Sequence, residues 1–390
     1  PAAACAGPPP PPPPPLPAAQ RAHCDAPLDE IARAGYTTVI GVMSAPKNPG
    51  RRRTVRATWF GWEQSSRMLF CFLLGGQGNK PELLAKLSAE AAKYRDVLWL
   101  DNATDQGVPT LKGYEWWKTA DRLAATSGST VRFLGKCDDD IFLHVPNLER
   151  DLERMHCREH VYYGNIGWTG YGTLDWRPCG WSWTKSRGPY KSHGCAKRGA
   201  HDVFPFVNGA LEILTPSLAR YVAHAPGVAR FVERSRIAIE ARKASGFGVG
   251  KYTTGLREPA GPRVWQQNED VALGFWLSEA RISYGMDILY VRVNHRTQNM
   301  ACISKRGLYQ RPRNDSVYVH FLKKPEGVTY VWKLLHDFAP HTADECTFNV
   351  WHNRCRNVEK FKSSHGYCRR MGFNFTFYAK DVRAAMSVDR

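Results

Sequence analysis

Several common signatures are missing from this 390-residue chain. No run of about 18 or more uninterrupted apolar residues occurs, so no stretch of it reads as a membrane-spanning helix. There is no CxxC pair among its eleven cysteines, which leaves no common zinc-finger spacing. No RNP pattern and no basic heptad is present, so a nucleic-acid partner is not expected despite the charge. Internal repeats are absent. Carboxylates are in deficit: 36 Asp and Glu stand against 54 Lys and Arg, a formal net charge of +18. That balance favours an anionic partner without saying whether it is a nucleotide, a phosphorylated substrate or a membrane surface. The chain opens on Pro1 rather than Met, and the expectation is a processed chain or a fragment lacking its true N-terminus, with any signal or anchor upstream.

What is present is enough for a large core. Apolar residues make up 43% and aromatics 12%, which excludes wholesale disorder, collagen and coiled coil and permits one large core or two ordinary ones. Eleven cysteines suit a secretory protein with disulfides or a cytosolic one with metal clusters, and the odd number leaves at least one thiol unpaired within the chain. Three sequons, at Asn102, Asn314 and Asn374, would be glycosylatable in a secretory lumen. Cys346, His352, Cys355, His365 and Cys368 form a tail cluster for which disulfides or free thiols are favoured over zinc.

The order of patterns divides the chain. Residues 1–35 read as a proline-rich stem, because the run Pro8 to Pro15 favours polyproline II and cannot join a sheet; a ligand for proline-recognition modules is the rival reading. Residues 36–340 read as one catalytic domain and 341–390 as a basic, cysteine-containing extension. Strands are expected at Tyr36–Val42, Met68–Leu74, Val97–Leu100, Val131–Lys136, Phe204–Leu214 and Ser316–Phe321. A helix or turn is expected at Thr54–Phe60, and helices at Pro81–Tyr94, Pro109–Ala125, Pro146–Met155, from Pro216, at Asn268–Ser278 and at Val328–His336. The alternation argues for an α/β sandwich on a mainly parallel sheet, with ligands beyond the carboxyl ends of the strands. Gly164 to His201 shows little periodicity, and Arg177 to His201 holds six Lys or Arg and no carboxylate. A Gly-rich basic loop follows around Gly246–Gly261.

Two constellations carry chemistry. Asp138-Asp139-Asp140 closes an apolar strand, where three adjacent carboxylates repel one another unless a cation or hydrogen bonds offset them. Hard oxygen ligands with room for phosphate oxygens suit Mg²⁺ or Mn²⁺. The bland alternative is a solvated acidic turn. Glu269-Asp270 stands at a helix start with Asn268 as cap, where a carboxylate could take the proton of an attacking hydroxyl, or could simply complement the helix dipole.

Seven blocks in order resemble a known family. Arg51-Arg52-Arg53 through Val55-Arg56-Ala57-Thr58-Trp59 resembles the "RR…IRxTW" opening of the β-1,3-glycosyltransferases of glycosyltransferase family 31. Phe72-Leu73-Leu74-Gly75 resembles its "FLLG" strand, and Glu90, Asp96, Leu111-Lys112 and Trp116 its "E…D…LTLK…W" stretch. Lys136–Phe142 resembles "KxDDDxF", Phe204–Leu214 "YPPYCSGGGYVLS", Glu269–Gly274 "EDVxxG", and His320 with Trp332 the closing "VH…W".

The resemblance implies a GT-A type nucleotide-sugar-binding fold, an inverting mechanism, a UDP-sugar donor, a glycan acceptor and Mn²⁺. By the same resemblance Asp140 and His320 ligate the metal, while Asp138 and Asp139 contact the donor. Arg52, Arg56, Thr58 and Trp59 line the nucleotide pocket with Lys112 near the donor, Asp270 is the base beside Glu269, and Asn208 and Gly209 floor the acceptor side. UDP-galactose is the expected donor and N-acetylglucosamine transfer the main rival, with an inactive glycan-binding protein of the same fold as a third reading. A Golgi-lumenal type II membrane protein is implied, its anchor outside this sequence. Asn208-Gly209-Ala210 departs from the family's Cys-Ser-Gly-Gly run. Gly164–His201 and the loop of residues 230–263 match the family poorly; the proline tract and divergent middle resemble, more distantly, the phosphoglycan side-chain β-1,3-galactosyltransferases of trypanosomatid protozoa, which implies a phosphorylated acceptor met by Arg and Lys.

Overall fold

The computed structural model describes residues 14–105, 109–169, 204–244, 268–299, 312–336 and 375–377. The basic run from Arg177 to His201, the loop around Gly246–Gly261, the tail cluster from Cys346 to Cys368, the sequon at Asn374 and nearly all of the proline run lie outside them.

Eleven strands and nine helices are described. In the first half they are α1 (Leu28–Arg33), β1 (Thr38–Met43), α2 (Pro49–Arg56), β2 (Met68–Gln77), α3 (Pro81–Tyr94), β3 (Val97–Thr104), α4 (Pro109–Ala125), β4 (Phe133–Asp138), β5 (Phe142–Leu143) and α5 (Val145–Glu153). The second half adds β6 (Val161–Thr169), β7 (Phe204–Leu214), α6 (Pro216–His224), α7 (Pro226–Ala244), α8 (Glu269–Tyr284), β8 (Leu289–Arg292), β9 (Thr297–Asn299), β10 (Tyr318–His320), α9 (Pro325–Leu335) and β11 (Phe375–Phe377). Proline opens α3, α6 and α9 at a position where its missing N–H costs nothing. Gly285, left-handed at φ 65°, closes α8. Part of the stretch read from sequence as a divergent loop is helical, since α7 runs to Ala244.

The main sheet has the order β11-β8-β6-β7-β4-β1-β2-β3. β1, β2, β3 and β4 are mutually parallel, and β7 runs antiparallel to both β4 and β6. This is the α/β sandwich with a mainly parallel sheet that the alternation implied. The central strands are buried on both faces, which is why β2 reads as an unbroken apolar run. Val39, Leu69, Cys71, Leu73 and Leu134 pack with Trp116, Leu218, Phe231 and Trp276 on one side. Ile40, Val42, Phe70, Phe72 and Phe133 pack with Val55, Leu148, Val328 and Val331 on the other. Each such side chain contributes about 1.5–3 kcal/mol by leaving water.

The body begins earlier than the Tyr36 boundary. Leu16, Ala22, Cys24, Ile31 and Ala32 are buried in the first of these clusters, and a Cys24–Cys71 disulfide ties the segment to β2. Cys137, at the end of β4, is a buried free thiol.

A second sheet of order β5-β10-β9 sets the site. β4 ends at Asp138, the chain turns through Asp139 and Asp140, and β5 enters this smaller sheet. Antiparallel pairing of Val319 with Phe142 and of Tyr318 with Leu143 then carries His320 to the turn.

Candidate active site

The register of the main sheet arranges the three acids. Met43 pairs with Asp138 across β1 and β4, so Ser44 runs on beside Asp139. Asp139 accepts hydrogen bonds from Ser44 Oγ (2.8 Å), Asn48 Nδ2 (3.0 Å) and Arg51 Nη1 (2.8 Å). It therefore holds the start of α2 against the end of β4. Burial opposes the charge on Arg51, but the carboxylates of Asp139, Asp140 and Asp138 overcome it and raise its pKa.

Asp138 and Asp140 meet His320. His320 Nε2 stands 3.7 Å from Asp140 Oδ1 and 3.9 Å from Asp138 Oδ2. One ligand atom from each residue lies within 4.8 Å of the others. Phe321 follows at φ 66°, a left-handed conformation rare for a bulky residue, and its ring stacks on His320 at 4.1 Å between centroids. Burial lowers the His320 pKa to about 4, so the imidazole is neutral with a lone pair to donate. Burial lifts Asp138 to about 6. It also acts on Asp140, but His320, Lys323 and Arg51 hold that carboxylate below its usual range.

Two carboxylates and a neutral imidazole suit Mn²⁺ or a similar divalent cation. With the three donor atoms within 4.8 Å of one another, small side-chain shifts would bring them around one such ion. The residues fit the ion.

Across the end of β4 lies a second cluster. Between Gly164 opposite Glu212 and Ile166 opposite Val207 the register of β6 on β7 shifts, which frees Asn208 and Gly209 from regular pairing. A Cβ on Gly209 would stand 2.9 Å from Glu269 Oε1 and 3.0 Å from Lys136 Nζ, so a side chain there would have to push the ends of this ion pair aside. Gly209 N–H donates to Asp270 Oδ2 at 3.1 Å, and Val271 N–H donates to Asp270 Oδ1 at 2.8 Å. Asn268 occupies the cap position of α8 but makes no side-chain capping bond, contrary to the sequence expectation; Asp270 takes an N–H of the first turn instead. Burial is the main reason the Asp270 pKa rises to about 7, with Glu269 adding to it.

Lys136 joins the two halves. Its ammonium donates to Gly209 O (2.6 Å), Glu269 Oε1 (2.7 Å) and Asp138 Oδ1 (3.3 Å), with Glu212 Oε2 at 3.9 Å. Burial would neutralise it, but Asp138, Glu269 and Glu212 raise its pKa well above normal. Glu212, wholly inside, is pushed up strongly by burial and accepts from Tyr162 OH at 3.3 Å.

Other residues assigned to the donor stand behind this surface. Arg52, fully buried, forms a bidentate pair with Glu90 at 2.8 and 2.7 Å and donates to Ala45 O at 2.7 Å. Arg56 pairs with Asp96 at 2.6 and 2.8 Å and with Glu90 at 2.7 Å. Thr58, just past the end of α2, donates its Oγ1 hydrogen back to Thr54 O in the last turn at 2.7 Å. Trp59 is buried, its Nε1 donating to Ile141 O at 3.1 Å, so it braces the turn of acids from behind. All three Lys112 hydrogens are occupied, by Ser44 O (2.7 Å), Leu73 O (2.9 Å) and Asp105. The structure thus gathers Asp138, Asp139, Asp140, His320, Asn208, Gly209, Glu269 and Asp270 at one end of the sheet. Arg52, Arg56, Thr58, Trp59 and Lys112 form the scaffold beneath.

Four site residues escaped the sequence reading: Arg51, Lys136, Glu212 and Lys323. Lys136 and Glu212 had a signal, since each is a charge inside an otherwise apolar strand and needs a partner there. Arg51 and Lys323 lie among many other basic residues and had none.

Residues 50–243 match the galactosyltransferase family model. The mouse acetylgalactosaminyl-O-glycosyl-glycoprotein β-1,3-N-acetylglucosaminyltransferase is 33% identical over 153 residues, 36% of this chain and 37% of that protein. Mouse β-1,3-galactosyltransferase 4 is 32% identical over 121 residues, 29% of this chain and 30% of its own length. The chain spans about a third of the length of the curated relatives it matches. Among solved structures, mouse xyloside xylosyltransferase 1 overlaps 73% of this chain and 96% of its own at a TM-score of 0.33 and 10% identity, a likeness too slight to argue from.

Proposed function

From the premise that residues 50–243 carry a galactosyltransferase-family domain, that of the β-1,3-glycosyltransferases, we propose that this chain is an inverting transferase moving galactose from UDP-galactose to a glycan hydroxyl in β-1,3 linkage. The observation that carries the reading is the convergence of Asp138, Asp140 and His320 across Lys136 and Gly209 from Asp270.

Asp138, Asp140 and His320 would hold a divalent ion, and Mn²⁺ bound there would stabilise negative charge on the departing diphosphate. Asp270 is the base. Its Oδ2 and Oδ1 are aimed by the Gly209 and Val271 N–H groups, and burial gives it a pKa near the working pH. It takes the proton of the acceptor hydroxyl as that oxygen bonds to the anomeric carbon. The bond from that carbon to the diphosphate oxygen breaks on the opposite face, and its electron pair leaves with UDP. One displacement with base and leaving group on opposite faces inverts the anomeric centre. Arg52 and Arg56 serve by fixing α2 through Glu90 and Asp96, so that Ser44, Asn48 and Arg51 present fixed donors to Asp139.

N-acetylglucosamine is the second donor reading, favoured by the 33% identity to a transferase of that sugar. A lumenal, oxidising setting is supported by the Cys24–Cys71 disulfide; among the described residues no helix is long and apolar enough to cross a membrane. A phosphate-bearing acceptor would answer to the basic run from Arg177 to His201, and neutralising Lys191, Lys197 and Arg198 should then weaken transfer to phosphorylated acceptors more than to neutral ones. Equal weakening would return that run to a solvated surface.

The test is a transfer assay of UDP-galactose and UDP-N-acetylglucosamine against a panel of glycan acceptors, with linkage analysis of the product. A β-1,3-galactosyl product supports the reading; N-acetylglucosaminyl product moves it to the second donor, and no transfer from either contradicts both.

A further inference from the structure

Asp140 divides its two oxygens. Oδ1 faces His320 at 3.7 Å, on the side where the divalent ion would sit. Oδ2 is bonded to the ammonium of Lys323, with Arg51 Nη1 at 3.9 Å. Lys323 arrives there because Phe321 turns the backbone through a left-handed φ, Leu322 N–H donates to Asp140 O at 3.0 Å, and Arg51 Nη2 donates to Lys323 O at 3.2 Å. A bulky residue at φ 66° persists only where surrounding contacts hold it. Here those contacts clamp one short loop against the acids, and the lysine is its reward: a cation beside the metal position, its side chain still a quarter exposed.

We propose that Lys323 is the diphosphate-binding cation of the donor site, held on Asp140 until the nucleotide diphosphate arrives. The assignment rests on the donor reading above. Three carboxylates offset one divalent ion and Arg51, and Lys136 is offset by Glu269, so Lys323 supplies the positive charge left for a diphosphate. Asp139 holds Arg51 in a hydrogen bond of its own, whereas the flexible lysine stem lets the ammonium swing from Asp140 Oδ2 to a phosphate oxygen without moving the loop. With no diphosphate present the same cation competes electrostatically with the metal, because both are drawn to Asp140.

The two effects have opposite signs, which separates this role from that of a prop for Asp140. Mn²⁺ binding alone, and then UDP binding at saturating Mn²⁺, would be measured calorimetrically for the wild type, Lys323→Met and Lys323→Arg, with a thermal melt to establish folding. Lys323→Met is expected to bind UDP about 10- to 100-fold more weakly, the loss of one charge-assisted contact. Its affinity for Mn²⁺ alone should be unchanged or higher, by up to about threefold. Lys323→Arg should recover most of the UDP affinity. UDP binding unchanged in Lys323→Met, lost equally in both variants, or lost together with Mn²⁺ affinity would each overturn the assignment. A wild-type protein that binds neither Mn²⁺ nor UDP would instead overturn the donor reading itself, and this assignment with it.

Discussion

Lys136 and Glu269, 133 residues apart, meet at 2.7 Å beneath the end of β4, where the lysine is buried among carboxylates. One ammonium holds Glu269 and Asp138 and lies near Glu212, so the metal side and the base side share a single counter-charge. Lys136→Met should therefore cost about 3–5 kcal/mol of stability by leaving buried carboxylates uncompensated. Denaturant unfolding would show it, and adding Glu212→Gln to the same chain should restore part of the loss. A Lys136→Met protein as stable as wild type would contradict the shared counter-charge.

Arg52 gives a second test, because its place in the fold and its place in the family resemblance point in different directions. Its bidentate bond to Glu90 is closed off from solvent on the arginine side. Burial raises the Glu90 pKa, and the hydrogen bonds from Arg52 and Arg56 outweigh it, leaving the carboxylate lowered and charged. Arg52→Met should lower stability by about 3 kcal/mol or more, with UDP affinity of the folded protein changed little. Normal stability with weak UDP binding would return Arg52 to the nucleotide.

The metal site predicts a clean dependence on two residues far apart in sequence. Asp140→Ala and His320→Ala should each weaken Mn²⁺ binding by about 100-fold or more, since loss of even an outer partner costs 10- to 100-fold. Chelation of the wild type should remove Mn²⁺-dependent UDP binding. UDP bound equally well by chelated protein would count against the site.

His144 should make the fold acid-sensitive. Its Nδ1 accepts the Asn147 N–H at the start of α5, and its ring packs on Trp62 at 4.9 Å. Burial lowers its pKa from 6.5 to about 4, with Arg150, Arg296 and His336 acting in the same direction. The unfolded chain takes up this proton below about 6.5 while the folded one resists until about 4. Stability from this group is thus complete above pH 6.5 and lost as pH falls towards 4. Melting temperatures across that window should fall less steeply in His144→Asn, which keeps a capping oxygen without a titrating ring; equal slopes would contradict the assignment.

Much of this was legible in the sequence, and the reason is local. β2, β3, β4 and β7 follow apolar runs, α3 and α4 follow helical spacing opened by proline, and the acids at the end of β4 announce a cation by their mutual repulsion. The strand at Ser316–Phe321 was legible and the family resemblance already joined His320 to Asp140, but the pairing of β10 with β5 was not, because a two-residue strand carries no periodicity. β6 was hidden likewise: its run mixes Gly, Asn and aromatics, and Val161–Gly167 is largely buried on both faces, so no alternation marks it. The basic residues were the hardest. A run such as Arg51-Arg52-Arg53 says nothing of direction, and only the helix places Arg51 on Asp139 and Arg52 on Glu90.

The central claim is that Asp270 is the base of a metal-dependent sugar transfer. The most direct measurement compares Asp270→Asn with wild type for Mn²⁺-dependent UDP binding and for the pH dependence of sugar transfer. Asp270→Asn should bind UDP as the wild type does and lose transfer by about 100- to 10,000-fold. Wild-type transfer should rise with pH through about 7, as the raised Asp270 carboxyl loses its proton. Unchanged turnover in Asp270→Asn, or a wild-type rate flat across that range, would contradict it.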